Sequence, residues 1–301
     1  MPARLALPCL LALCAACNMP KHSVDKAAKF SDDTDHAIEA FWDLETAVEA
    51  MPSVIVQYEG MLALSPDNER VQLGLSRALM AYAAAYLEQE LTRAVDANDP
   101  GEADYYRHRA ARMYVRARDL GMRAMEQRHA GLEAAVAGGA DALGRHVREG
   151  YDGSEERDVR PLAITGLAWG AAIALGELGK EEAGLARTLV EHAVALIPGY
   201  DQCAGLAFLG ASHAEADGAK AKQYFERGLS LCKRRNHHVQ VGYAEYYAAR
   251  AGDRELYDAL LEEVVSAGDQ GDEVRLRNKL ARRRAQRLIT RADRLFAPAA
   301  P

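Results

Sequence analysis

"ARTLVEHAVALIPGYDQCAGLAFLGASHAEADGAKAKQYFERGLSLC", residues 186–232, carries the pattern that decides the fold. Ala186, Val190 and Ala193 follow one another at steps of four and three, and Pro198 closes the run. Ala221, Phe225 and Gly228 repeat the order 35 residues later. Such steps put side chains on one helix face. Small residues there let an antiparallel helix come close, while the larger one fills the gap beside them. Asp217 and Gly218 supply a turn between two helical blocks. The stretch therefore reads as helical hairpins set side by side.

Outward from it the pattern recurs. Tyr257, Leu261 and Val264 follow another 36 residues on, while Ala110, Tyr114 and Ala117, and Val54, Tyr58, Met61 and Pro66, precede it. The spacing matches the second half of a tetratricopeptide repeat, A-x3-F-x2-A-x4-P. The first half is weaker: Leu75, Ala78, Leu79 and Tyr82 stand where Trp, Leu, Gly and Tyr are expected. Alanine is abundant and runs of Val, Ile and Thr are scarce. The expected fold is all-α, a tetratricopeptide-like stack of antiparallel helical hairpins with a C-terminal capping helix; an unrelated alanine-rich bundle is the alternative. A chain of 301 residues, 49 % hydrophobic with ten prolines, can bury a core of that size. Helices are predicted at 36–50, 52–64, 69–96, 101–127, 161–178, 181–196, 201–216, 220–231, 239–251, 254–267 and 272–296. Pro52 and Pro161 are placed in first turns, where a missing N–H costs nothing.

The N-terminus has a different logic. Leu5 to Cys17 is an apolar run of thirteen residues behind Arg4, too short for a bilayer span of about 20 residues. It has the form of a secretory signal. Ala15 and Ala16 precede Cys17 and suit a peptidase pocket, so Cys17 is the expected lipidated residue; the run resembles a bacterial lipobox with Cys14 in place of the usual Leu. Ordinary secretion is the alternative. Asn18 favours the outer membrane over inner-membrane retention. The organisation expected is a signal peptide at 1–16, a lipidated N-terminus and tether at 17–34, and a first helical repeat region at 35–136. A glycine-rich loop or irregular segment at 137–160, a second repeat region with its cap at 161–296, and a tail at 297–301 complete it.

"LSPDNERVQLGLSRALMAYAAAYLEQE", "YYRHRAARMYVRARDLGMRAMEQRHAGLEAAV", "LAWGAAIALG" and "RRRAQRLITRADRLF" occur in that order between Val24 and Phe296. With the helix of Tyr82, Tyr86, Gln89 and Glu90, a turn at Trp169-Gly170-Ala171-Ala172, and a lipidation signal ahead of them, they resemble the T-component family of TRAP (tripartite ATP-independent) transporters. The resemblance implies a periplasmic lipoprotein with cryptic tetratricopeptide repeats that docks the transporter's solute-binding subunit. A helical scaffold for envelope assembly is the competing function.

No phosphate loop, dinucleotide fingerprint, nucleophile elbow or zinc-protease helix occurs, so the chain is not read as an enzyme and no cofactor is expected. The formal charge of −7 argues against general nucleic-acid binding, yet residues 275–294 carry nine Lys or Arg against one Asp. That helix could lie on anionic lipid or an acidic partner, or cap the stack; capping is preferred. Leu276, Leu280, Leu288, Ala292 and Leu295 give it an apolar face broken by Arg284. Tyr82, Tyr86 and Trp169 are candidates for a groove or partner surface that takes a small apolar ligand, against the alternative of ordinary core packing. Self-association or receptor docking is expected through the first two-thirds of the stack. The arginines of 107–118 read as a solvated face, and His237 and His238 as a polar loop rather than metal ligands. Cys203 and Cys232 lie equally far from the turn midpoint at 217–218, level at the open end of one hairpin. They are either a disulfide or two buried thiols.

Overall fold

The computed structural model describes residues 19–30, 36–153 and 155–297; the expected signal peptide 1–16, the expected lipidation site Cys17 and the tail residues 298–301 lie outside the described residues. Helix makes up 83 % of the structure and no strand occurs among the described residues, as the all-α reading requires. The helices run in chain order α1 (Met19–Ala27), α2 (Leu44–Leu64), α3 (Glu69–Tyr82), α4 (Glu88–Asp96), α5 (Pro100–Arg128), α6 (Leu132–Ala137), α7 (Ala140–Gly150) and α8 (Glu156–Ala174). There follow α9 (Ala183–Leu196), α10 (Tyr200–His213), α11 (Gly218–Leu231), α12 (His237–Gly242), α13 (Arg254–Ser266) and α14 (Arg275–Leu295). A π-helical turn, Ala83–Leu87, joins α3 to α4. A second, Tyr243–Ala248, extends α12 into Ala249–Ala251.

The starts are written locally. Asp43, Asn68, Asp99, Asp217 and Asp253 each accept the N–H of the residue three further on, and so cap α2, α3, α5, α11 and α13. Neighbours in sequence then pack as neighbours in space: α2 on α3, α3 on α5, α5 on α8, α8 on α9, α9 on α10, α10 on α11, and α13 on α14. The repeat positions supply these seams. Ala110, Ala117, Ala186, Val190, Ala221, Phe225, Tyr257 and Leu261 are all buried. At the α10–α11 seam a Cβ on Gly210 would stand 2.7 Å from the Phe225 ring. That close approach buries Phe225 completely and contributes about 2 kcal/mol through its apolar surface.

Four expectations need correcting. The tether at 17–34 is structured in part: α1 docks on α2 and the 3-10 turn Ala28–Phe30 on α3, burying Val24 and Ala28, while Asp25 accepts from Ser65 Oγ at 2.8 Å and Asn68 Nδ2 at 2.7 Å. The segment 137–160 is mostly helix, not loop. Leu143, Val147 and Tyr151 recur every fourth residue and are fully buried, which fixes α7 against α9. Gly144 lies inside α7 without breaking it, and a Cβ there would meet Thr188 Cγ2 at 3.5 Å, an ordinary contact. Pro52 and Pro161 lie inside α2 and α8 rather than in first turns. The carbonyl orphaned by Pro161 belongs to Arg157, and Arg128 Nη1 donates to it at 2.6 Å, replacing the lost helical bond. Finally, Trp169-Gly170-Ala171-Ala172 is helical within α8, not a turn.

The C-terminal helix does more than cap α12 and α13. It returns to the beginning of the chain: Arg275 Nη1 donates to the Ala40 carbonyl at 2.7 Å, the Arg277 N–H donates to Glu39 at 2.9 Å, and Arg283 and Arg291 pair with Glu45 and Asp96. Leu276 and Leu280 join Leu44, Met51 and Ala85 in one apolar cluster. The two ends of the stack thereby flank a space between them.

Candidate functional site

One face of α3, its π turn and α4 presents Ala78, Ala81, Ala84 and Ala85 to a cavity of about 370 Å³. Ala204 and Ala207 of α10, Met51 and Val54 of α2, and Leu276 and Leu280 of α14 complete its apolar wall. The size lies within the range of about 300–1,000 Å³ usual for small-molecule sites. Alanine is the reason the space exists, since each of these positions would fill it with any longer side chain. Within the π turn the backbone does not follow the ordinary helical bonding, and Gln89 Nε2 donates to the Ala84 carbonyl at 3.2 Å. Such turns recur at functional sites.

The mouth of the cavity is charged. Arg277 Nη2 donates to Asp201 Oδ1 at 2.9 Å, Arg277 Nε lies 3.3 Å from Glu39, and Arg77 stands 4.0 Å from the same Asp201 oxygen. Burial works to raise the Asp201 pKa, but Arg277 and then Arg77 overcome it and hold the carboxyl at about 2. Burial likewise opposes the charge on Arg277, and Asp201 and Glu39 raise its pKa nonetheless. His238, also in the wall, is pushed down to about 3 by burial and by Arg277, so it is a neutral imidazole at neutral pH. At the far end Arg284 pairs with Glu245 at 2.7 Å, and Tyr114 donates its hydroxyl to Glu88. Arg284, which interrupts the apolar face of α14, thus turns into the cavity.

Asp201 owes its position to an unusual backbone. Asp201, Gln202 and Cys203 have φ of 47°, 54° and 68°, three successive residues in the left-handed region without a glycine. Several anchors hold them there. Asn236 Nδ2 donates to the Gln202 carbonyl at 2.8 Å, Gln202 reaches Glu273 at 3.2 Å, and Cys203 is joined to Cys232 with Cα atoms 6.2 Å apart. A second cavity, about 310 Å³, shares Glu39, Arg77, Asp201 and Arg277 with the first and adds Arg160, Tyr200 and Glu273. The four shared side chains form the partition between this charged cavity and the alanine-lined chamber.

The aromatic residues singled out in the sequence lie elsewhere. Trp169 is 3 % exposed; its Nε1 donates to Glu182 at 2.7 Å and the Arg118 guanidinium covers its ring, so it belongs to the core between α8 and α9. Tyr82 and Tyr86 are half-buried and stack with centroids 5.4 Å apart, and neither lines the cavity. Tyr86 meets Tyr106 edge-on at 6.4 Å and Tyr106 meets Tyr105 at 5.2 Å, which leads the row out to Tyr105, 57 % exposed. The arginines of α5 are largely engaged, Arg107 with Asp104, Arg116 with Glu59 and Arg118 with Asp119. His237 is buried with its N–H on Asn278, and no cluster of three or more His, Cys, Asp or Glu suited to a metal occurs among the described residues. No described helix is long and apolar enough to cross a membrane.

A family model described as the TRAP transporter T-component matches residues 42–296, which takes in every helix from α2 to α14. The chain belongs to this family. It is therefore an accessory component of a transport system, and the matched span includes the lining of the cavity apart from Ile38 and Glu39. No curated protein matches the chain. Reasoning from the sequence missed Asp201, Arg77 and Arg277. Their signals were present only as the alanines at 78, 81, 84 and 85 on one face, and as Arg277 and Arg284 two turns apart on an otherwise apolar face of α14.

Proposed function

We propose that this TRAP transporter T-component is a periplasmic adaptor, held to a membrane by acylated Cys17, which docks the solute-binding subunit and keeps a small, largely apolar ligand in the alanine-lined chamber. The observation that carries the reading is the chamber itself, a space of ligand size formed where α14 closes onto α2 in a chain of a transport family. An isolated scaffold gains nothing from alanines that leave such a space unfilled. The aromatic row ending at Tyr105 is the docking surface that fits the role, because aromatic side chains beside arginine are the residues that dominate protein interfaces. Self-association through the same surface is the competing use of it.

Capture of the purified solute-binding subunit on the immobilised, lipidated chain tests the reading. Tyr105→Ala should weaken capture at least tenfold and leave the melting temperature within a degree or two, as for an exposed residue. Undiminished capture would remove this surface from the account. Cys17→Ser should yield a protein that washes from membranes, and mass spectrometry of the mature N-terminus should find the acyl chains on Cys17.

A further inference from the structure

We propose that the Arg77–Arg277 pair is the head-group site for a monocarboxylate with an apolar tail, and that Asp201 occupies in the structure the place the ligand's carboxylate takes on binding. The inference rests on the reading of the chamber as a ligand site and names the class of ligand.

Charge decides the class. At the head of the chamber two arginines, Arg77 and Arg277, face two acids, Glu39 and Asp201, while Arg284 is paired with Glu245 and His238 is neutral. A neutral wall cannot accept an anion into a buried setting unless one of its own acids withdraws, since an unpaired buried charge is costly. Asp201 is the acid built to withdraw. Glu88 accepts from Tyr114 within the far wall, and Glu39 accepts the Arg277 N–H as well as facing its guanidinium. Asp201 alone borders both cavities from a left-handed turn, so rotation of its side chain carries the carboxylate from the partition into the charged cavity.

The incoming carboxylate then finds a guanidinium fork on Arg277, with Arg77 beyond it, in a site where charge-assisted hydrogen bonds are strong. Its chain runs along Ala78, Ala81, Ala85 and Leu280. At the far end Arg284 is already paired with Glu245, so nothing there calls for a second anionic group.

Isothermal titration calorimetry of the mature chain with decanoate, decanol and decyltrimethylammonium tests the proposal. Decanoate should bind at least tenfold more tightly than either of the others. Asp201→Asn removes the internal competitor and should tighten decanoate about tenfold while leaving decanol unchanged. Arg277→Met should abolish the preference. A damaged fold weakens binding, so the gain expected of Asp201→Asn separates displacement from damage, and the wild-type comparison of decanoate with decanol needs no variant. Equal binding of decanol and decanoate, or weaker decanoate binding by a folded Asp201→Asn chain, overturns the inference and leaves the chamber as an apolar site. Binding of none of the three probes overturns the chamber reading as well.

Discussion

Asp201→Asn is also the sharpest probe of stability, because its size and pH dependence both follow from the partition. The carboxyl titrates at about 2 in the fold against an ordinary value of 3.8, and each unit of difference is worth about 1.4 kcal/mol. Its ionised form therefore contributes about 2 kcal/mol at neutral pH. The folded pKa is the depressed one, so this contribution is complete above pH 4 and is lost as pH falls through 2. Urea unfolding should find the variant less stable by about 2 kcal/mol at pH 7, with the gap narrowing to about 1 kcal/mol near pH 3. A constant gap across that window, or none at pH 7, would refute the assignment of Asp201 as a carboxylate held between Arg277 and Arg77. The same substitution is expected to lower stability and raise decanoate affinity, a combination that simple packing damage does not produce.

Three further outcomes follow from the packing. Thiol labelling after denaturation without reductant should find neither Cys203 nor Cys232 reactive, and the double change to Ala should cost about 3 kcal/mol for a loop of this length, measured by urea unfolding. Gly166→Ala should destabilise by about 1–3 kcal/mol, since its Cβ would meet Val190 Cγ2 at 2.6 Å and the Ala186 carbonyl at 3.0 Å, whereas Gly60→Ala, with nothing within 4 Å, should stabilise by about 0.5–1 kcal/mol. Trp169→Ala should lower stability by about 3–5 kcal/mol and leave ligand and receptor affinity per folded molecule unchanged, as befits a core residue; calorimetry and thermal melts read the two separately.

The helices were legible because their signals are local. Steps of four and three at Ala186, Val190 and Ala193, and again at Ala221, Phe225 and Gly228, place the buried faces of α9 and α11 as the structure has them. Caps such as Asp99 and Asp217 fix starts to within a residue or two. Helical breakers were less informative, since a glycine means either a break or a close contact, and Gly166 and Gly210 are of the second kind. Proline misled for a related reason: the bond lost at Pro161 is made good by Arg128, which lies 33 residues earlier in the chain, and no local pattern announces that.

The site was nearly illegible. Its partition joins residue 39, residue 77, residue 201 and residue 277, each ordinary in its own neighbourhood. What brings them together is the return of α14 to α2, a long-range closure that helical periodicity cannot encode. Aromatic residues drew attention because they bury the most surface, and for that reason Trp169 was spent on the core. Alanine left the space. The helix containing Tyr82 and Tyr86 does line the cavity, but through the face that carries Ala78, Ala81 and Ala85.

Surface plasmon resonance between the lipidated mature chain and the purified solute-binding subunit of its transporter tests the account most directly. A saturable, reversible complex that Tyr105→Ala weakens at least tenfold is the result the account predicts. Absence of any complex with a folded, correctly acylated chain and an active receptor would contradict it.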